Sequence, residues 1–374
     1  MDDLVTPQGT FRLTRYPQDP RDRLRAWDAA DEYALRHLAE TDISGTTVIV
    51  GDRWGALTTA LAAHTPTQIT DSYLAQQATT RNLKTAGTTA TTLLTTQDEP
   101  PTRIDTLLVR VPKSLALLED QLRRLAPSLH ENSTVLGTGM AKEIHTSTLR
   151  LFEEIIGPTR TSLAAKKARL IFSTPDPALP HPPSPWPLTY TLPPDAGPMA
   201  ARPVTNHAGV FSADHLDIGT RFFLENLPTG DYGHIIDLGC GNGVVGTAAA
   251  LLHPNADILF TDESFQAIAS AKATFAANAP NKATFQAGDA LTDVPPRSVD
   301  LILNNPPFHT HQAMGDATAW RMFTGARDAL TKGGELWVVG NRHLGYHVKL
   351  RRIFGNCRTM ASNPKFVILR AIRR

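Results

Sequence analysis

What the chain has little of narrows its identity first. Only two cysteines occur in 374 residues, Cys240 and Cys357, far apart and with no CxxC or His-rich spacing around them. Neither a disulfide framework nor a zinc site is supported, so no metal is expected and a reducing, cytoplasmic setting fits. No basic segment followed by an apolar run stands at Met1-Asp2-Asp3-Leu4. No stretch approaches the length that crosses a bilayer either, so no export signal and no membrane anchor are expected. A dominant charge is also missing: 37 Lys and Arg against 36 Asp and Glu leave a net +1, which argues neither for nor against a polyanionic partner. With 41% hydrophobic and 20% charged residues, the composition is that of a globular protein long enough for two cores.

Proline, by contrast, is concentrated. Pro175, Pro177, Pro180, Pro182, Pro183, Pro185 and Pro187 are too dense for a helix or a central strand. They place a first domain at 1–175, a linker and the start of the second at 176–203, and the second domain at 204–374. Trp186 to Leu192 alternates enough to be an edge strand of that second domain. Beyond it, apolar runs and helical patterns alternate. Strands are predicted at Ile235–Leu238, Ile258–Asp262, Thr284–Gln286, Val299–Leu303 and Leu336–Val339, and helices at Val244–Leu252, Phe265–Asn278 and Trp320–Leu330, the last before a Gly333-Gly334 turn. This alternation predicts a parallel, doubly wound sheet, closed at one edge by an antiparallel hairpin from Arg358–Ala361 and Phe366–Ile372.

The first half echoes the second. Val48-Ile49-Val50-Gly51 followed by Gly55 resembles the first strand and glycine loop, and Ile69-Thr70-Asp71-Ser72 matches Phe260-Thr261-Asp262-Glu263. Leu107 to Lys113 stands where Leu301 to Pro307 stands, Val135-Leu136-Gly137 echoes Val338-Val339-Gly340, and Lys167–Phe172 echoes Lys365–Leu369. Five echoes in one order favour duplication. Asp52, Arg53 and Trp54 fill the first copy's glycine loop, and Val111-Pro112-Lys113 replaces its Asn-Pro-Pro turn, so that copy has lost its chemistry.

Asp237-Leu238-Gly239-Cys240-Gly241-Asn242-Gly243 follows a strand and opens a helix, where glycines let backbone amides approach a ligand. Gly241, Gly243 and Gly246 also satisfy the dinucleotide fingerprint, with Asp262 placed for a ribose, so the loop alone leaves a dehydrogenase open. Asp237 favours the ammonium of a methionine moiety over a pyrophosphate, which it would repel. Asp289 is placed either to accept from an adenine amino group or to cap a helix, and Cys240 reads as a small filler. Asn305-Pro306-Pro307-Phe308, directly after an apolar strand, is the most informative stretch. Its prolines end the strand and expose carbonyls at the sheet's carboxyl edge. The Asn305 amide oxygen and the Pro306 carbonyl can accept from an exocyclic NH₂, and Phe308 can stack on the base. His309 and His311 carry no assigned catalytic role. Three basic clusters stand apart: Arg12, Arg15, Arg21, Arg23 and Arg25; Lys166, Lys167 and Arg169; and Arg351, Arg352, Arg370, Arg373 and Arg374. Each alone reads as a solvated surface, and a base-modifying site would promote them to an RNA track.

Taken together, the chain resembles bacterial ribosomal RNA guanine-N2 methyltransferases built from two methyltransferase-like domains. The likeness rests on Gly209-Val210-Phe211-Ser212 with Leu216-Asp217-Ile218-Gly219-Thr220, the Asp237 to Gly243 loop, Asn305 to His309, and Gly334 to Tyr346; in the first half, on Tyr16-Pro17, Ala26-Trp27-Asp28 and Asp52 to Leu57. The resemblance implies two tandem Rossmann-like class I methyltransferase domains, each with a mostly parallel seven-stranded sheet and an antiparallel edge hairpin, the N-terminal copy degenerate and used for RNA recognition. It implies S-adenosyl-L-methionine as cofactor, held by Phe211, Asp237, Gly239, Gly241, Gly243, Asp262, Asp289 and Asn305, with Asn305, Pro306, Pro307 and Phe308 holding the guanine amine. Ribosomal RNA or a ribosomal subunit is the expected partner, and the internal pair of domains favours a monomer. Adenine-N6 or protein-glutamine methylation, and a non-catalytic RNA-binding factor retaining the fold, are the alternatives.

Overall fold

The computed structural model describes residues 3–18, 24–88, 91–280, 282–307 and 312–374, the side chains of 312–316 excepted. The chain forms two compact units, Met1–Trp186 and Pro187–Arg374, so the proline-dense stretch is shared between them.

The first unit opens with a small hairpin, β1 (Leu4–Thr6) against β2 (Gly9–Phe11). It continues through α1 (Ala29–Leu38), β3 (Thr47–Val50), α2 (Ala56–Ala60), β4 (Thr67–Thr70), α3 (Tyr73–Thr85), β5 (Thr92–Thr95) and β6 (Thr106–Arg110). It closes with α4 (Leu115–Leu125), β7 (Thr134–Met140), α5 (Thr146–Ile155), β8 (Thr159–Thr161) and β9 (Ala168–Ser173). The second unit starts with β10 (Leu188–Thr191) and β11 (Pro203–Asn206) and runs on through α6 (Ile218–Leu224), β12 (His234–Leu238), α7 (Val244–Leu252), β13 (Asp257–Asp262), α8 (Phe265–Asn278), β14 (Ala283–Ala287) and β15 (Val299–Asn304). Then come α9 (Gln312–Ala329), β16 (Leu330–Asn341), α10 (Tyr346–Phe354), β17 (Arg358–Ser362) and β18 (Phe366–Ile372).

Both main sheets have seven strands in one order, β5-β4-β3-β6-β7-β9-β8 and β14-β13-β12-β15-β16-β18-β17. In each, the first five strands pair in parallel and the last two pairings are antiparallel, so that β9 and β18 alone run against the rest of their sheets, and the expected fold class stands. The strand order reverses between β12 and β15, and between β3 and β6. That crevice, outside the carboxyl ends, is where open α/β sheets bind ligands. Side-chain alternation explains the layering. Leu301 and Leu303 join Phe223, Val244 and Phe260 on one face, whereas Ile302 joins Ile236, Phe323 and Leu350 on the other.

The edge strand expected within Trp186 to Leu192 is Leu188–Thr191, and the sheet it edges is a separate two-stranded one with Pro203–Asn206. Three expectations are corrected. The helix expected from Trp320 begins at Gln312, and Gly333-Gly334 lies within the β16 span, where the register against β15 jumps between Val299 and Leu301. The register of the internal repeat also shifts. Val50 and Leu238 pair with Val109 and Asn304 on one side and with Ile69 and Thr261 on the other. Thr70 therefore occupies the place of Asp262, Arg110 that of Asn305, and Gly139 that of Gly340.

Gly55 and Gly243, both at φ 77°, start the helix after each glycine loop. A Cβ at Gly55 would lie 2.5 Å from Thr79 Cα, and one at Gly243 would lie 2.7 Å from Ala271 Cα. Glycine is thus required twice over, by dihedral and by helix contact. Replacing either with alanine is expected to destabilise its own unit by roughly 1–3 kcal/mol, seen as a lower urea midpoint. Unfolding curves that overlay wild type would show that the neighbouring helix yields freely.

Candidate functional site

The carboxyl edge of β12, β13 and β15 gathers most of the residues named from sequence. Gly239 and Cys240 donate their N–H groups to Thr261 O at 2.8 and 3.1 Å, which holds the loop against β13. Gly241 N–H donates to Asp262 Oδ2 and Ser264 N–H to Asp262 Oδ1, both at 3.0 Å. Glu263 N–H donates to the same carboxylate; with about four lone-pair sites on a carboxylate, Asp262 keeps an acceptor site for a hydroxyl. Gly241 is left-handed at φ 52°, and a Cβ there would meet nothing within 4 Å. The open space in front of this loop and the spare acceptor beside it fit the ribose of S-adenosylmethionine. Cys240 is buried and its thiol is pushed well above the usual range by that burial and by Asp262 and Asp237, which suits a filler and not a nucleophile.

Asp237 is more enclosed than its sequence position suggests. It is 2% exposed and accepts Gly246 N–H at 2.7 Å, tying strand to helix. Burial raises its pKa to about 8, with the Asp262 charge adding to the effect and the Gly246 bond opposing it. Asp289 is also buried, and Arg321 Nη2 lies 3.6 Å from its Oδ1. Arg321 has no local motif to announce it. Phe211 is exposed in a segment tied to the loop through Asn242 Nδ2 donating to Asn206 Oδ1 at 3.0 Å. Phe308, His309 and His311 lie outside the described residues.

Asn305 is held by a chain of donors that leaves one atom over. Asp217 caps α6, its Oδ2 accepting Thr220 N–H at 2.8 Å and Thr220 Oγ1–H at 3.3 Å. A carboxylate only accepts, so the Thr220 hydroxyl hydrogen is spent there and its oxygen must accept in turn. Asn305 Nδ2 supplies that bond at 3.1 Å. The network thereby sets the amide orientation, and Asn305 Oδ1 is buried with no hydrogen-bond partner among the described residues. An unpaired buried acceptor costs about 1–3 kcal/mol, a cost that a ligand donor would remove. Nothing local in the sequence connects Thr220 to a residue 85 positions away. Behind the site, Asn304 is fully buried and donates to Leu238 O at 2.7 Å, joining β15 to β12.

The same edge of the first unit is filled. Arg110, in the place of Asn305, is 1% exposed in its side chain and lies 2.6 Å from Asp28, 3.4 Å from Asp31 and 3.2 Å from Glu143. Asp28 caps α1 as Asp217 caps α6, and Asp31 stands at the position of Thr220. Asp52 turns into its own helix start, accepting from Gly55, Ala56 and Thr58 N–H and from Thr58 Oγ1–H. Arg53 pairs with Glu143 at 3.1 Å.

The raised pKa of Asp237 makes a pH prediction. Above about pH 4 the unfolded chain has released a proton that the folded chain holds until about pH 8. Stability from this group therefore falls as pH rises across that window, by up to about 1.4 kcal/mol per pH unit. In Asp237→Asn the amide oxygen can still accept from Gly246 while the titration is gone. Guanidinium midpoints between about pH 5 and 8 should fall less steeply than wild type by roughly one proton's worth, and parallel profiles would refute the assignment.

A family model described as RLMG N-terminal domain matches residues 1–177, and one described as Methyltransferase small domain matches residues 201–370. The ribosomal RNA large subunit methyltransferase G of Streptomyces avermitilis is 66% identical over 378 residues, covering 100% of both chains. That of Aeromonas salmonicida is 45% identical over 378 residues and covers 99% of each. Among solved structures, the T. thermophilus 16S rRNA N2 G1207 methyltransferase (RsmC), in complex with AdoMet and guanosine, has a TM-score of 0.76. The match covers 100% of this chain and 97% of that one at 22% identity, a likeness of fold.

Proposed function

This chain belongs to the family of ribosomal RNA large subunit methyltransferase G, and we propose that it transfers a methyl group from S-adenosylmethionine to N2 of a guanine in large-subunit ribosomal RNA. The observation that carries the reading is Asn305: its NH₂ is committed to Thr220, and its Oδ1 is left as an unpaired acceptor at the carboxyl edge. A guanine exocyclic amine supplies the matching donors. The first unit serves RNA recognition, and the protein acts as a cytoplasmic monomer on rRNA or a ribosomal subunit. No helix among the described residues is long and apolar enough to cross a membrane.

The residues divide the work. Gly239, Gly241 and Gly243 keep the loop open, Asp262 takes a ribose hydroxyl, and Asp289 lies within the adenine end of the cleft. When bound, S-adenosylmethionine supplies an electrophilic methyl on a sulfonium that departs as a neutral thioether. Asn305 Oδ1 and the Pro306 carbonyl accept the two N2 hydrogens, drawing the nitrogen toward sp³ so that its lone pair aligns with that methyl. Transfer would form the N2–C bond in place of the S–C bond, and one of the N2 hydrogens held by Asn305 Oδ1 and the Pro306 carbonyl would then be lost as a proton to solvent as the product departs. No general base is demanded, because the leaving group is neutral; alignment and exclusion of water are the requirements. The base reaches this edge by extrusion from its stack.

Incubation with labelled cofactor and unmodified rRNA, followed by nucleoside digestion, should yield N2-methylguanosine. Label found only in N6-methyladenosine or in protein would overturn the proposal. Asn305→Ala is expected to lower kcat by about a hundredfold or more while the chain stays folded. Thr220→Val removes the acceptor that orients the amide and should lower kcat by about tenfold with the rRNA KM unchanged. Thr220→Ser, which keeps the hydroxyl, should restore it; a valine variant as active as wild type would remove Thr220 from the mechanism.

A further inference from the structure

Of the three basic clusters, the first two are largely occupied within the first unit. Arg12 pairs with Asp3, and Arg25 and Lys166 both pair with Glu32; Arg21 and Arg23 lie outside the described residues. In the third, Arg370 pairs with Glu335 and Arg373 donates to Asp328 O and Leu330 O, while Arg351 and Arg352 are exposed. From Leu336 to Arg374 the chain has no Asp or Glu at all, yet nine of its 37 Lys and Arg fall there. In a chain of net charge +1, everything before that segment is net negative.

The fold concentrates this charge beside the site. β16 runs next to β15 and ends at Asn341 on the same carboxyl edge as Asn305. Arg342 and His343 follow at once in a tight turn and are exposed. Arg342 N–H donates to Lys365 O at 3.0 Å, so this turn and the one leading into β18, which carries exposed Lys365, form one body. From there α10 runs back along the unit. It buries Tyr346, Leu350 and Phe354 and exposes His347, Arg351 and Arg352, the last with its guanidinium 5.2 Å from the Trp320 ring.

The scaffold itself does not require this charge. The equivalent helix of the first unit, α5, likewise buries Phe152 and Ile155 and exposes Glu153 and Glu154. The solvent face of α5 is thus mixed, with exposed Arg150 beside Glu153 and Glu154, whereas the charges on that of α10 are cations alone and adjoin the edge that kept Asn305.

We propose that Arg342, His343, Lys365 and the exposed face of α10 with His347, Arg351 and Arg352 form the RNA phosphate track that leads the substrate to the catalytic edge. The inference rests on the rRNA-methylating reading of that edge. Phosphates spaced along an RNA strand meet a row of cations drawn from a stretch of chain that contains no carboxylate side chain. Lys and Arg contacts to phosphate release counterions, which makes the binding salt-dependent. The exposed guanidinium over Trp320 adds a flat surface of the kind on which bases stack.

The test uses the full chain with protein-free large-subunit rRNA. Arg351→Glu/Arg352→Glu and Arg342→Glu/Lys365→Glu should each raise the rRNA KM by about tenfold or more and reduce the slope of log K against log salt by about 2. The S-adenosylmethionine Kd by calorimetry and kcat at saturating rRNA should stay within about twofold of wild type, a span of roughly 0.4 kcal/mol, and the melting temperature should be unchanged. Glu153→Lys/Glu154→Lys, on the opposite copy, should leave the KM unchanged. Folded variants that bind rRNA with wild-type affinity and salt slope would overturn the track. Failure of the underlying reading looks different: wild-type protein would transfer no methyl to rRNA, while filter binding of the same rRNA would still decide whether the α10 variants had lost a phosphate surface.

Discussion

At the end of the fourth strand of each sheet, the chain either has an N–H to give or does not, and most of the difference between the two units follows from this. Val111 donates to Thr138 O at 2.9 Å, so the ladder in the first unit runs one residue further and β6 includes Arg110. Pro306 stands at the corresponding place, has no N–H, and ends β15 at Asn304. Asn305 is thereby released from the ladder. Its side chain answers instead to Thr220 and, through it, to the cap of α6.

The consequences for pairing are opposite in the two copies. In the first, the charges brought to the sheet edge find partners: Arg110 with Asp28, Asp31 and Glu143, and Asp52 with its own helix start. Burying such a network is tolerable only because its charges are matched, since removing one partner strands a charge at about 3–5 kcal/mol. Among the described residues, the second copy leaves an acceptor over at Asn305, and at Asp262 beyond its backbone bonds from Gly241, Glu263 and Ser264. Its Gly241 faces open space. The difference lies in what faces each edge group: Arg110 Nε, though buried without a hydrogen bond, has Asp31 Oδ1 at 3.4 Å, whereas Asn305 Oδ1 has no partner among the described residues. The solvent faces differ as well, with Arg150 beside glutamates on α5 and cations alone among the charges on α10.

Much of this was legible in the sequence because it depends on local pattern. The helices Val244–Leu252 and Phe265–Asn278 have the bounds that their periodicity and flanking Gly243 and Ser264 indicate. The strand Phe366–Ile372 likewise has the bounds that its apolar run indicates. The glycine loop, Asp262 and Asn305 were found because each sits next to a strand end that punctuation marks. Strand pairing was less legible. Sequence echoes placed the repeat one residue out at Asp71 and at Val111, since neighbouring apolar residues match equally well on either side of a slip, and only inter-strand register distinguishes them.

The sequence by itself determined a doubled α/β fold, an intact glycine loop and Asn-Pro-Pro turn in one copy, and their loss in the other, because these are properties of residues adjacent in the chain. The tertiary structure alone decided that Arg110 fills the place of Asn305, that Asp237 is enclosed against Gly246, and that Thr220 orients Asn305. Each of these joins residues that are not neighbours in the chain, and their meeting depends on which strand lies beside which. Hydrogen-bond direction then does the rest: an acceptor-only carboxylate at Asp217 sets, through one hydroxyl, which atom of Asn305 is left free.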